Sequence, residues 1–92
     1  MKIKLYTKTF VEMKHGDCAC AVGVASFLPT EMAKLTDEDA AQILRRVAGE
    51  ALKSIPNSVR VLSCEYISAQ EASDIIRYQE YRKSQYGSDE EE

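Results

Sequence analysis

Residues 2–12 read KIKLYTKTFVE, and their alternation decides the fold. Ile3, Leu5 and Val11 fall on one side of an extended chain, and Lys2, Lys4, Tyr6, Lys8 and Phe10 fall on the other. Side chains of a strand point alternately to opposite faces, so this period of two predicts a strand. Thr7 and Thr9 favour the same backbone. Lys14-His15-Gly16-Asp17 reads as the turn that follows, with Gly16 free to take a positive φ. Residues 18–27, CACAVGVASF, complete a hairpin. Cys18, Cys20, Val22 and Val24 form one face of that second strand, and Ala19, Ala21, Gly23 and Ala25 form the other.

Beyond the hairpin, Pro29 ends the extended region and Thr30–Leu35 has room for a short helical turn. Thr36 is a helix cap, and Asp37, Glu38 and Asp39 place negative charge at the positive end of the dipole. The helix is expected from Asp37 to Ser54. Its apolar half is Ala40, Ala41, Ile43, Leu44, Val47, Ala48, Ala51, Leu52 and Ile55; its wet half is Glu38, Gln42, Arg45, Arg46, Gly49 and Lys53. Pro56-Asn57 makes a turn, and residues 58–67, SVRVLSCEYI, make a third strand. Ser68-Ala69-Gln70-Glu71 matches a capping box and opens a second helix to about Tyr86, where Gly87 stops it.

The expected fold class is therefore α+β, in the order β-β-α-β-α. It is a three-stranded, mostly antiparallel sheet with two helices on one face and the other face open. Strand 1 is central if strand 3 pairs antiparallel with it; a right-handed crossover to a parallel place beside strand 2 is the competing topology. Residues 1–87 form one domain, and Ser88–Glu92 form an unstructured acidic tail.

A chain of 92 residues is one domain on size, able to bury roughly 60–70% of its extended surface. Apolar residues at 45% and charged residues at 29% leave enough material for a core. The net charge of −3 repels nucleic acid and anionic membranes in bulk, though not at a local basic patch. Three cysteines exclude an even disulfide framework. Met1–Val11 alternates lysines with apolar residues, unlike a signal peptide, and no run approaches the ~20 apolar residues that span a bilayer. These features imply free thiols in a reducing cytoplasm and no membrane partner.

His15, Cys18, Cys20 and Cys64 are the only His and Cys residues, and four ligands suit zinc. On a strand, however, Cys18 and Cys20 sit about 7 Å apart, too far to converge on one ion unless the strand breaks. Buried free thiols are the expectation, with no cofactor. Nucleophilic catalysis needs a base held beside a Cys or Ser, and His15 is a lone turn residue. No GxSxG elbow, phosphate-binding glycine loop or HExxH helix is present, so the chain reads as no enzyme.

Two surfaces carry possible binding chemistry. Lys2, Lys4, Tyr6 and Lys8 form a row on strand 1, which Arg60 and Tyr66 are expected to join from strand 3. Lysines neutralise phosphates and tyrosines stack on bases, so an open face of this kind suits RNA; solubilising lysines on a wet sheet produce the same row. Ala19, Ala21, Gly23 and Ala25 are expected on that face too, letting another surface approach closely. On the second helix the apolar stripe Ala72, Ile75 and Ile76 gives out at Gln79, so its later half is weakly anchored. Asp74, Arg77, Tyr78, Tyr81 and Gln85 form an opposite band suited to protein contact, to homodimerisation, or to simple cover of the sheet edge. The terminal carboxylates, with Glu65, Asp74 and Glu80, are capable of imitating a phosphate backbone.

The whole resembles phage-encoded anti-CRISPR proteins, most closely the inhibitors of the type I-F surveillance complex. The resemblance rests on a short chain that begins with the strand KIKLYTKTF, is mildly acidic, ends GSDEEE and has no catalytic motif or export signal. The family shares no sequence motif, so no residue role carries over. The resemblance implies a stoichiometric inhibitor in the host cytoplasm, monomer or homodimer. Its partner is the RNA-guided complex, through the backbone and DNA-recognition subunits with the guide RNA as an optional further contact, and its effect is to block target-DNA binding. The alternative reading of the residues is a small RNA-binding module using the lysine and tyrosine sheet face.

Overall fold

The computed structural model describes the backbone of residues 1–90 and the side chains of residues 1–83. The elements run β1 (Ile3–Met13), β2 (Cys18–Phe27), α1 (Pro29–Lys34), α2 (Asp37–Ser54), β3 (Ser58–Ile67) and α3 (Ala69–Glu90). Both neighbours of β1 pair with it antiparallel, giving the sheet order β2-β1-β3. The α+β class and the element order are as the sequence predicts, α1 fills the expected helical turn, and of the two topologies left open the chain takes the one with β1 central. Gly16 turns the hairpin at φ 92°, and Asn57 at φ 66° turns α2 into β3.

The capping chemistry follows the sequence. Asp39 N–H donates to Thr36 Oγ1 and Thr36 N–H donates to Asp39 Oδ2, both at 3.1 Å, closing a reciprocal box at the start of α2. Glu71 N–H donates to Ser68 Oγ at 3.1 Å at the start of α3. That helix does not stop at Gly87; its backbone continues to Glu90. Of the acidic tail, Ser88–Glu90 belong to this helix, and residues 91–92 lie outside the described residues.

The two long helices do not share a face. On one side α2 lies over the odd-numbered residues of β1. Cys64 Sγ approaches the Leu44 carbonyl at 3.5 Å, and Tyr66 Oη donates to the Ala40 carbonyl at 2.7 Å. Thr7, Thr9, Val11, Ile43 and Ala51 are buried there. On the other side α3 lies over the even-numbered residues, where Lys8 reaches Glu71 and Tyr6 lies beside Ile76 and Arg77. The expectation of two helices on one face and an open second face is corrected. The even face is not simply wet, because Phe10 and Cys20 lie beside Ile75, Tyr6 lies beside Ile76, and the Lys8 stem adds apolar ground.

The pairing also reassigns side chains. Thr7 pairs with Gly23 and Thr9 with Ala21, so the small residues of β2 face α2, while Cys18, Cys20 and Val22 share the lysine face. On β3 the register shifts twice, leaving Leu62 and Val59 without partners on β1. Such bulges reverse side-chain parity along an edge strand. Arg60 and Tyr66, both even-numbered, therefore point to opposite faces.

Candidate functional site

The face that β1 was expected to leave open is the floor under α3. Ala72 is fully buried against it. Lys8 is the polar anchor: its Nζ donates to Glu71 Oε1 at 2.9 Å and lies 3.4 Å from Glu65 Oε1 and 5.5 Å from the Phe10 ring centroid. Only 17% of the Lys8 side chain stays exposed. The hydrogen bond to Glu71 raises its pKa above the ordinary value, against burial that works the other way. A turn further on, Gln79 Nε2 donates to the Cys20 carbonyl at 2.9 Å. Gln79 is the residue at which the apolar stripe fails, and its amide takes over as the tie to the sheet.

Between α3 and the turn end of the hairpin lies an open groove of about 660 Å³. Lys8, Phe10, Cys18 and Cys20 form its floor, and Asp74, Tyr78, Gln79 and Arg82 form its wall. On the other flank of α3 a smaller groove of about 260 Å³ is lined by Tyr6, Ile76, Arg77 and Glu80. Arg77 and Tyr78 therefore open onto different grooves, and the expected single band is divided by the helix crest. Tyr78 and Tyr81 are each 61% exposed. The Cys20 thiol is pushed up from its ordinary pKa mainly by burial, with the Lys8 charge pulling it down and Glu71 pushing it up. A thiol whose pKa is raised is a poorer nucleophile and a poorer metal ligand.

The other candidates scatter. Lys2 and Lys4 are exposed at the start of β1. Arg60 is matched by Glu12 at 3.0 Å. Tyr66, expected in the lysine row, lies on the α2 face, where burial raises its pKa. Cys64 is on that face as well, 3.2 Å from Thr9 Oγ1, with the sheet between it and Cys18 and Cys20. Among the described residues no three of His, Cys, Asp and Glu gather to hold a metal ion. No described helix is long and apolar enough to cross a membrane. Compared with known proteins, the chain matches no family model, no curated protein and no solved structure.

Proposed function

We propose that the protein works by stoichiometric binding through the outer surface of α3, and that its partner is the RNA-guided type I-F surveillance complex in the host cytoplasm, whose target-DNA binding it blocks. The observation that carries the reading is the pair of tyrosines, Tyr78 and Tyr81, each 61% exposed on a helix held to the sheet by few contacts. Tyrosines with nearby arginine are the residues that concentrate binding energy at protein interfaces. The net charge of −3 draws the chain as a whole toward the basic grooves of a complex that tracks nucleic-acid backbones, while along α3 Asp74 and Glu80 alternate with Arg77 and Arg82. The binding-only reading, with no catalysis and no cofactor, is supported by the separation of the three thiols across the two faces of the sheet and by His15 standing in the exposed turn.

The RNA-module alternative needs an open sheet face with unmatched cations. Here α3 lies over that face, and Glu71 and Glu65 engage Lys8. Lys2 and Lys4 are left as the exposed lysines of the row, so contact with guide RNA, if made, falls on them. The test is a mobility-shift assay of target DNA on purified surveillance complex. Near-stoichiometric inhibitor should abolish the shift, and free RNA should not bind. An unchanged shift at large excess defeats the proposal, and salt-steep binding to free RNA supports the alternative.

A further inference from the structure

We infer that β2 is a dimerisation edge, pairing antiparallel with β2 of a second copy about a twofold axis at Val24 to make one continuous six-stranded sheet. The inference is independent of the identity of the macromolecular partner and starts from the hairpin register. Met13 N–H donates to the Asp17 carbonyl at 2.7 Å, which makes that pair hydrogen-bonded. Antiparallel pairs alternate in type, so Cys18, Cys20, Val22, Val24 and Ser26 turn their own N–H and C=O away from β1, toward the outer edge.

The two edges of the sheet are built differently. β3 carries two register shifts and the charged Arg60 and Glu65, devices that keep a strand edge from pairing. β2 is ten residues long, without a charge, a proline or a break in register. Its only blocked outward group in the described contacts is the Cys20 carbonyl, taken by Gln79. The open ladder is thus Val22, Val24 and Ser26.

That block selects the register. A twofold at Val22 or Gly23 pairs Cys20 with a residue of the second copy and competes with Gln79. A twofold at Val24 opposes Val24 to the partner subunit's Val24 and Val22 to the partner subunit's Ser26, and uses only open groups. The side chain of Val24, 54% exposed, is covered by its own counterpart. The two Cys20 positions then lie about 27 Å apart along the strands, so the two Gln79 ties fall well away from the twofold. On the opposite face Gly23 meets the partner subunit's Ala25, with no bulk to obstruct pairing. The area is consistent with an association: the chain exposes 6955 Å², where a folded monomer of 10.3 kDa exposes about 5400 Å². The excess is on one chain and is about twice the ~800 Å² that each partner contributes to a standard interface.

Sedimentation velocity of the full chain across a concentration series tests the inference. The expected result is a mass that doubles with concentration. Val24→Pro should return it to the monomer with an unchanged circular dichroism spectrum, because the N–H it removes points away from β1. Directly opposed hydrogen-bonded residues have Cα atoms about 5.5 Å apart, within disulfide range. Val24→Cys should therefore cross-link under mild oxidation well above the wild-type background, and Ser26→Cys, which faces Val22, should not. A monomer at every concentration, a dimer that survives Val24→Pro, or equal cross-linking of the two cysteine variants overturns the inference.

Discussion

The two faces of the sheet bury their helices by different means. Against α2 stand Thr7, Thr9 and Val11, each at most 1% exposed, with Ile43 and Ala51 buried and a reciprocal capping box at the helix start. Against α3 stands one fully buried residue, Ala72, with the Lys8–Glu71 ion pair and the Gln79 amide completing the attachment. Apolar burial scales with area, while exposed polar links contribute little each. α2 is therefore the element that stabilises the domain, and α3 is the element free to serve another surface.

Substitutions under α2 should break the fold and those under α3 should not. Ile43→Ala should cost about 2–5 kcal/mol in chemical denaturation, near the whole stability of so small a domain. Gly23→Ala should cost about 1–3 kcal/mol, since overpacking strains the neighbouring side chains. The added Cβ would lie 2.7 Å from Thr7 Oγ1 and 3.3 Å from Val47 Cγ1, and Thr7 is a stiff, buried, β-branched side chain. Thr36→Ala should cost about 1 kcal/mol by removing the cap of α2. Gln79→Ala should cost only about 0.5 kcal/mol, the worth of an exposed hydrogen bond. A Gln79 variant as damaging as the Ile43 variant would erase the contrast between the faces.

The smallest expected effect is on pH. The pKa values of Cys20, Tyr66 and Lys8 are raised from the ordinary 9.0, 10.0 and 10.5, the first two chiefly by burial and the third chiefly by its hydrogen bond to Glu71. The folded chain thus holds these protons more tightly than the unfolded one. Their contribution is full below the ordinary values and is lost as pH rises through the raised ones. Melting followed by circular dichroism should show no change from these groups at neutral pH and a fall beginning above about pH 9. Stability that rises between pH 9 and 11 contradicts the account.

Strand periodicity, the Thr36 and Ser68 caps and the Pro56-Asn57 turn make the elements and their order along the chain legible, because each is a local signal; which strand β3 pairs with is not local, and two topologies stay open. The side of the sheet on which α3 lands is not local. It depends on whether Tyr6, Phe10 and the stem of Lys8 are read as a wet row or as amphipathic ground, and alternation alone does not distinguish these. The misplacement of Tyr66 has a sharper cause: unpaired Leu62 reverses parity between Arg60 and Tyr66, and nothing in SVRVLSCEYI announces a bulge. The small residues of β2 went to the wrong face for want of the hairpin register. The anchor formed by Lys8, Glu65 and Glu71 joins residues 57 and 63 positions apart, beyond any motif. The exposed tyrosines and the failing stripe at Gln79 were readable, since they follow from helical spacing alone.

The division of labour between the helices is tested most directly by comparing two double variants as inhibitors of target-DNA binding by the purified surveillance complex. Tyr78→Ala with Tyr81→Ala alters the exposed side of α3, and Arg45→Ala with Arg46→Ala alters the exposed side of α2. The account predicts a loss of potency of about tenfold or more for the α3 pair, equivalent to about 1.4 kcal/mol, and less than about twofold for the α2 pair. Full potency of the α3 pair beside a collapse of the α2 pair would contradict it.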